Sequence, residues 1–271
     1  MPELPEVETV KNGLIKKVQG KKITKCLVRW NGIIAYPSKE EFIKEIENKT
    51  IKDITRRGKF LIFNLDEYYL ISHLRMEGKY FIKEPNEKLS KHDHVIFSLD
   101  NNKELRYNDT RKFGKMYLVK NNELDKTPLV NLGKEPWDKD LTVEYLKNKF
   151  NRKLAIKTLL LDQSIITGIG NIYADEILFL SKINPTKKGN ELTNKNLEDI
   201  IENTRNILAK AIELGGTTIH TYTAVDGITG RFQQELLVHG KKDELCPNCK
   251  TKIEKIVVNT RGTYYCPKCQ K

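Results

Sequence analysis

The chain has 271 residues, of which 38% are hydrophobic, with 16 glycines and 9 prolines; this composition excludes fibrous and disordered proteins and fits about two folded domains. Its 48 lysines and arginines outnumber its 36 acidic residues, which gives a net charge of +12 and favours a polyanionic partner, with nucleic acid ahead of an acidic membrane surface. No apolar run approaches the roughly 18 residues of a membrane-spanning helix, and no secretory signal is recognisable, so we expect a cytoplasmic, nucleoid-associated location.

The N-terminal segment predicts an amphipathic helix from Pro5 to about Gln19. Its apolar residues recur at spacings of three and four, and Gly20 closes the pattern. Pro5 suits the first helical turn, and the acidic residues there suit the positive end of the helix dipole. Pro2 and Glu3 precede the helix and are not needed to explain it.

The next segment predicts an antiparallel β-sandwich or barrel. Its runs are short, rich in β-branched and aromatic residues and separated by turn sequences, a pattern typical of these two architectures. One predicted helix, 38–47, interrupts them. The predicted strands span residues 23–34, 50–56, 60–65, 68–73, 78–82, 94–99, 104–107 and 115–119.

The second half of the chain predicts helices. Residues 121–138 contain two prolines and little periodicity, which indicates an interdomain linker. We then expect helices over 142–150, 153–163, 171–180 and 193–214, the first and last capped by threonine. The predicted domains are a β-rich catalytic domain with the N-terminal helix over 1–120, a helical DNA-binding domain over 139–240 and a cysteine-bearing tail over 241–271.

The tail contains a predicted zinc finger. Two Cys-x2-Cys pairs are separated by sixteen residues, which is the spacing of a structural zinc site with a hairpin between two knuckles. Four thiolates leave no open coordination position, so the metal would fold the tail rather than do chemistry. The four predicted ligands are Cys246, Cys249, Cys266 and Cys269.

Two other motifs are ambiguous when each is taken alone. The glycine turn 168–171 joins two predicted helices, and its backbone N–H groups can bind a phosphate at the start of the second helix; a simple packing turn is equally compatible. The connection 108–114 joins two strands and carries two cations and an aromatic residue. It predicts either a solvated hairpin or a side-chain wedge directed at a nucleic acid.

Seven motifs occur in one order along the whole chain: MPELPEVET at 1–9, GK at 58–59, HLRMEG at 73–78, KHDH at 91–94, DTRKFG at 109–114, GIGNIYA at 168–174 and TYYCPKCQ at 263–270. In this order they resemble the motifs of the bacterial formamidopyrimidine-DNA glycosylases. The sister group of endonuclease VIII type normally has glycine where this chain has Leu4.

The resemblance implies an α+β multidomain fold. It would comprise an N-terminal antiparallel β-sandwich or barrel flanked by helices, a helical helix-two-turn-helix domain and a C-terminal four-cysteine zinc finger. The implied activity is that of a bifunctional base-excision enzyme, which removes oxidised purines, chiefly 8-oxoguanine and formamidopyrimidines, and then cleaves the strand by β- and δ-elimination. The implied cofactor is one structural zinc, the partner is duplex DNA, and we expect a monomer.

The resemblance also implies roles for single residues. Pro2 would be the nucleophile that attacks the sugar C1′, and Glu3 the acid that assists opening of the sugar. Lys59 and Arg261 match proton donors for the two eliminations. The matched DNA-contacting positions are His73, Met76, His92, Arg111, Phe113, Arg152, Lys157 and Asn171. Three of these would fill the gap left by the flipped nucleotide, namely Met76, Arg111 and Phe113. The loop that would close over the extruded base runs from Thr217 to Tyr222 and includes Thr218.

A terminal proline is chemically suited to this role. An α-amino group has a reference pKa of about 7.7 to 8.0, so a useful fraction is neutral and nucleophilic at physiological pH, unlike an ordinary lysine. The reaction requires removal of Met1, which we expect before a residue as small as proline. Glu3 could protonate an ether oxygen only if burial raises its pKa.

Two alternatives remain open at this stage. The same fold could act on oxidised pyrimidines, or the chain could be a non-catalytic zinc-ribbon protein that binds DNA. The acidic N-terminal peptide argues against the second alternative, because it is poorly suited to binding phosphate. Two residues depart from the family pattern and affect local geometry: Thr260, where glycine is usual, and Arg231, where a small or aromatic residue is commoner.

Overall fold

The computed structural model describes residues 1–217 and 230–271. The chain forms two compact units, the first made of residues 1–130 with both ends of the 215–230 segment, the second of residues 131–214 and 231–271. In the described ranges, no helix has the length and apolar character needed to cross a membrane.

The described residues of the first unit form nine strands in two sheets. Their bounds are β1 Ile23–Val28, β2 Ile34–Tyr36, β3 Ile51–Arg57, β4 Phe60–Leu65, β5 Tyr68–His73, β6 Lys79–Lys83, β7 Asp93–Leu99, β8 Glu104–Asn108 and β9 Lys115–Lys120. One sheet has the order β1-β7-β8-β6 and the other the order β2-β9-β5-β4-β3. Each of the eight predicted runs overlaps at least one of these strands.

The two sheets enclose one hydrophobic core. Each has two edge strands, so within the described chain neither sheet closes on itself, and the predicted sandwich is confirmed rather than the barrel. The sandwich is not wholly antiparallel, because β2 pairs with β9 in parallel. This difference arises because the predicted run 23–34 is broken by a 3-10 turn, Asn31–Ile33, which redirects the chain from one sheet to the other.

The predicted N-terminal helix is confirmed as α1, Leu4–Val18. Its apolar residues at positions 7, 10, 14 and 18 are buried in the shared core, as their spacing indicates. The helix packs against β3 and β4. The second predicted helix is α2, Lys39–Ile46, whose cap is Ser38.

The second unit is helical, with α3 Val143–Phe150, α4 Ile156–Leu160, α5 Asn171–Leu180 and α6 Asn194–Glu213. Thr142 and Thr193 are N-caps as predicted, since each hydroxyl accepts a backbone N–H of the first turn at 3.2 Å. The predicted helix 153–163 is much shorter than expected. Ala155 pairs with Lys188 in an isolated bridge, and the N–H of Ile156 donates to Lys187 O, so α4 cannot begin earlier.

The C-terminal tail forms the predicted hairpin, β10 Glu254–Val258 and β11 Arg261–Tyr265, between the two cysteine pairs. Phe179 of α5 shares a small apolar cluster with Val238, Ile253 and two of the cysteines. The finger is therefore packed on the helical part of its own unit.

The turn of this hairpin is strained. Asn259 and Thr260 have φ angles of 43° and 66°, and Val258 pairs with Arg261 across them. A two-residue turn with both φ angles positive prefers Asn-Gly, because a β-branched residue is disfavoured in this conformation.

We predict that Thr260→Gly stabilises the finger. Relief of the positive-φ strain should raise the free energy of unfolding by about 1 kcal/mol, after allowance for the greater backbone entropy of glycine. The measurement is the denaturant concentration at which zinc is released to a chromogenic indicator. The control is Thr110→Gly, which changes an exposed position in the first unit and should leave the midpoint of zinc release unchanged. An unchanged or lower midpoint for Thr260→Gly would show that the turn is not strained at this residue.

Candidate functional site

Pro2 and Glu3 lie at the N-terminal end of α1. Glu3 is the N-cap residue and is only 2% exposed, and Pro2 is buried as well. The N–H of Glu3 donates to Oε2 of Glu6 at 2.9 Å. The two residues are therefore fixed by the helix that the sequence places directly after them.

Glu6 is a functional candidate that sequence reasoning missed. Its other carboxylate oxygen, Oε1, accepts the N–H of Thr217 at 2.7 Å and the hydroxyl of Thr217 at 3.1 Å. Gly216 allows this approach, because its φ is +77° and a Cβ there would lie 2.6 Å from the same oxygen. The sequence showed an acidic residue in a first helical turn, which is usually a surface feature, and no local pattern indicated a partner some 211 residues away.

Thr217 is therefore the one residue of the predicted lesion loop whose contacts are described. It is buried and bound to α1 through Glu6. Thr218 and Tyr222 lie outside the described residues.

Lys59 is buried in the tight turn between β3 and β4. Arg56 connects this turn to α1, because its Nη1 donates to Gly58 O at 3.0 Å and its Nε donates to Glu8 Oε2 at 2.7 Å. Burial raises the pKa of Glu8, but the hydrogen bonds from Lys11 and Arg56 outweigh it and hold that pKa below its usual value. The helix that carries Pro2 and Glu3 is thus tied to the turn that carries Lys59.

His73 ends β5 and is buried. The edge of its ring packs on Phe60 with centroids 4.5 Å apart, and its Nδ1 accepts the N–H of Arg75 at 2.9 Å. Burial, and then the positive charges of Arg75 and Lys59, lower the pKa of His73 to about 3. The ring is therefore neutral at physiological pH and shapes the turn that leads to Met76.

Met76, Arg111 and Phe113 meet at the surface of the first unit, and we call these three residues the wedge. Arg111 Nη1 lies 3.0 Å from Met76 Sδ, and the guanidinium carbon lies 4.8 Å from the centroid of the Phe113 ring. All three side chains are exposed. The structure thus brings together the residues that were predicted to fill the gap left by a flipped nucleotide.

The loop that carries the wedge is built on Asp109. This buried carboxylate accepts the N–H groups of Arg111 at 2.9 Å and Gly114 at 2.8 Å, and the carbonyl of Asp109 binds the His94 ring at 2.8 Å. His92 lies beside the loop, and its carbonyl accepts the N–H of Asp109. Arg111 and Phe113 of the wedge therefore project from a rigid turn rather than from a loose hairpin.

In the second unit, Asn171 and Arg261 are brought close together. Asn171 opens α5, and its Nδ2 donates to Gly262 O at 3.0 Å, next to the exposed Arg261 at the start of β11. Arg152 lies apart from this hydrogen bond, in the turn after α3, where it is exposed and 3.9 Å from Asp162.

Lys157 is 0% exposed, although it was predicted to contact DNA. Its ammonium donates to Asp175 Oδ1 at 2.7 Å, to Thr263 Oγ1 at 2.8 Å and to Gly262 O at 3.1 Å. In this structure the Lys157 ammonium is paired with Asp175, and its bonds to residues 262 and 263 hold strand β11 in place.

Two acidic residues of α5 complete this support, and sequence reasoning missed both. Asp175 Oδ2 accepts from His239 Nδ1 at 2.7 Å and from the N–H of Tyr264. Glu176 accepts three consecutive backbone N–H groups, those of residues 237–239. Burial raises the pKa of Glu176, and these three hydrogen bonds oppose the rise. The sequence feature that could have indicated these two residues is the occurrence of adjacent acids in an otherwise apolar helix.

The four cysteines of the finger are suited to one zinc ion. Their sulfur atoms all lie within 4.8 Å of one another, with Cys246 and Cys269 3.9 Å apart and Cys249 and Cys266 3.4 Å apart. Tetrahedral zinc with bonds of about 2.3 Å places its sulfur ligands about 3.8 Å apart. The donor set and its spacing fit a closed structural site.

Three family models match the chain. The first, described as the formamidopyrimidine-DNA glycosylase N-terminal domain, matches residues 1–116. The second, the formamidopyrimidine-DNA glycosylase H2TH domain, matches residues 132–223. The third is a zinc finger found in FPG and IleRS and matches residues 240–271.

Full-length relatives and solved structures give the same result. The formamidopyrimidine-DNA glycosylase of Bacillus subtilis is 47% identical, over 100% of this chain and 99% of that protein. A Lactococcus lactis FPG mutant in complex with Fapy-dG DNA superimposes with a TM-score of 0.94 at 41% identity, and both chains are fully covered. Another Lactococcus lactis FPG structure, bound to DNA containing an oxidised pyrimidine, has a TM-score of 0.92 at 40% identity, again with both chains fully covered.

We predict a pH-dependent loss of stability through His73. Its pKa of about 3 in the folded state is below the ordinary value of 6.5, so its contribution is complete above about pH 6.5 and is lost as the pH falls towards 3. Between pH 7 and pH 5 the loss should be about 2 kcal/mol in the free energy of unfolding, measured with urea. His73→Asn keeps an acceptor for the Arg75 N–H and should lack this decrease.

The matched control for this experiment is His92→Asn, because the ring of His92 is half-buried rather than buried. It should retain the wild-type pH dependence. A His73→Asn protein that loses as much stability as the wild type would show that His73 is not the titrating group.

We also predict that Cys249→Ser reduces bound zinc from one ion per chain to nearly none, because structural zinc needs its full thiolate set. Metal analysis of the purified protein is the measurement. Cys26→Ser, which changes the buried cysteine outside the cluster, should keep one zinc. Equal zinc content in the two variants would contradict the assignment.

Proposed function

The chain belongs to the formamidopyrimidine-DNA glycosylase family, and from this premise we propose that it excises oxidised purines from duplex DNA and then cleaves the strand at the resulting abasic site. Its substrates are 8-oxoguanine and formamidopyrimidines, and its place is base excision repair. The observation that carries the proposal is the buried Pro2-Glu3 pair, fixed on α1 in a chain that matches the family from end to end.

The chemistry begins with Pro2 after Met1 has been removed. The neutral secondary amine attacks the sugar C1′ and forms a C–N bond as the bond to the damaged base breaks; the base leaves with the bonding electron pair and takes up the proton that the amine releases. Glu3, the next residue, donates a proton to the sugar ring oxygen, which opens the ring. The product is an iminium ion that joins Pro2 to the opened sugar.

Strand cleavage follows from this iminium, which acidifies the neighbouring carbon and allows β-elimination and then δ-elimination of the flanking phosphates. We propose that Lys59 and Arg261 donate protons to the departing phosphate oxygens. Lys59 is suited to its part because its turn is tied to α1 through Arg56.

The remaining predicted residues would bind and distort the DNA. Extrusion of the damaged base costs a few kcal/mol of unstacking, which inserted side chains and phosphate contacts can offset. The wedge would occupy the gap, while His73, His92, Arg152 and Asn171 would contact the backbone. Lys157 would act through Gly262, and Thr217, Thr218 and Tyr222 would contact the extruded base. We propose that the enzyme works as a monomer on the nucleoid.

A second candidate specificity is suggested by one relative. Because a Lactococcus lactis relative was crystallised with DNA containing an oxidised pyrimidine, oxidised pyrimidines are candidate secondary substrates. Comparison of excision rates from 8-oxoguanine and thymine glycol duplexes decides between the two base classes. Faster excision of thymine glycol would make oxidised pyrimidines the primary substrates.

We predict that protein with Met1 removed is trapped covalently by borohydride on duplex DNA with 8-oxoguanine opposite cytosine, because reduction of the iminium makes the C–N bond permanent. Mass spectrometry should place the adduct on Pro2. Glu3→Gln should lower excision at least about 100-fold, since general acid catalysis contributes roughly 10²- to 10⁴-fold.

The matched control is the same protein with Met1 retained, in which the Pro2 nitrogen is an unreactive amide and no adduct should form. An adduct on a lysine, or none with the processed protein, would overturn the mechanism. Equal binding of damaged and undamaged DNA without cleavage would favour the zinc-ribbon binding protein instead.

A further inference from the structure

Trp30 is an exposed aromatic residue that the mechanism above does not use. Its backbone is fixed, because its N–H and that of Arg29 both donate to His94 O. Its ring leans on Gly32, where a Cβ would lie 2.7 Å from the indole Nε1. The indole is nevertheless 42% exposed, so a rigid segment presents it at the surface.

Lys112 joins Trp30 to the wedge. Its ammonium lies 4.1 Å from the centroid of the Trp30 ring, and it stands in sequence between Arg111 and Phe113. Lys115, which follows in the same segment, donates to Gly32 O at 2.6 Å. The first unit therefore presents a set of exposed cations and apolar or aromatic side chains that the loop 109–114 links together. We call it the strip: Met76, Arg111, Phe113, Lys112 and Trp30.

We propose that Trp30 is a stacking platform for a base of the strand opposite the lesion, and that Lys112 moves from the Trp30 ring to a DNA phosphate when the duplex binds. This inference rests on the proposed function. It extends the DNA interface beyond the wedge to a residue that no sequence motif indicated.

The relative strengths of the contacts favour this exchange. An exposed cation–π contact is weak, because water solvates the ammonium almost as well as the ring does. A phosphate is a stronger partner for the same ammonium. When Lys112 leaves, it uncovers an aromatic face, and stacking of a base on such a face is worth roughly tenfold in affinity for any base type.

The charge and position of the strip identify the strand. Arg111 and Lys112 make it complementary to phosphate, and the wedge would fill the space of the flipped nucleotide. Extrusion of one nucleotide leaves the base opposite it without a pairing partner. The Lys112 ammonium lies over the Trp30 ring, so Trp30 lies against the loop that carries Arg111 and Phe113 and is suited to receive the unpaired base.

The two tryptophans of the chain make the test direct. Trp30 and Trp137 are 42% and 43% exposed, and Trp137 belongs to the second unit. Trp137→Phe leaves Trp30 as the sole reporter, whereas Trp30→Phe leaves Trp137. Each variant is titrated with a duplex that carries an uncleavable abasic-site analogue, and binding is followed independently by the anisotropy of labelled DNA.

We predict that saturating DNA lowers Trp30 emission by about half and protects it from acrylamide, since stacking quenches indole and excludes solvent. Trp137 emission should change little. An unchanged Trp30 signal at saturation, or equal quenching of both tryptophans, would overturn the platform.

Substitutions of Trp30 and Lys112 test the base stacking and the phosphate contact separately. Trp30→Ala should weaken binding about tenfold, while Trp30→Phe, which keeps an aromatic face, should lose less. Lys112→Gln should lower the slope of log affinity against log salt by about 1, as expected for one lost phosphate contact. Unchanged affinity of Trp30→Ala, or an unchanged salt slope of Lys112→Gln, would contradict the corresponding part.

Borohydride trapping of the wild type separates failure of the stacking platform from failure of the proposed function. Binding and trapping together with an unchanged Trp30 signal would overturn the platform and leave the proposed function standing. Absence of both binding and trapping would overturn the proposed function, and the platform with it.

Discussion

The arrangement of the candidate catalytic residues Pro2 and Glu3 depends on one buried carboxylate, that of Glu6. Glu6 accepts hydrogen bonds from Glu3 at the start of α1 and from Thr217, far along the chain. A buried charge of this kind is tolerated only when its hydrogen bonds are satisfied, so loss of one donor is costly. Because all of its described partners are donors, the side chain has little freedom to turn away. The position of Pro2 and Glu3 is therefore set by the chain that surrounds the carboxylate rather than by the N-terminal peptide alone.

Features that depend on neighbours in sequence could be predicted from the sequence. Short β-branched and aromatic runs, threonine caps and the two cysteine pairs are local patterns, and each was confirmed at nearly its predicted position. The supporting acids could not be found in this way. Asp175 and Glu176 look like ordinary helix residues until residues 237–239 and Tyr264 fold back onto them. Two adjacent acids in an apolar helix are a local signal, but their partners and hence their role are a property of the tertiary structure.

The differences between expectation and structure have the same origin. The helix expected over 153–163 has the correct periodicity, but pairing of Ala155 with Lys188 uses the backbone groups that its first turn would need. The resemblance implied a DNA contact for Lys157, which stays a prediction, and folding in addition gives this residue a carboxylate and a hairpin carbonyl as partners. In contrast, the roles of Pro2 and Lys59 came from the resemblance alone, because no physical pattern in one sequence distinguishes a reactive proline from a helix-starting one.

The burial of Lys157 and Asp175 has a consequence for biosynthesis. Both residues leave the ribosome well before the strand that completes their shell, since Thr263 follows Lys157 by 106 residues and Tyr264 follows Asp175 by 89. Until β11 has been made, the nascent helical segment carries a charge pair that lacks part of its hydrogen bonding, and such groups disfavour a closed, dry interior. The second unit can therefore reach its final packing only after the finger has been translated, because the last hydrogen-bond partners of the buried pair belong to β11.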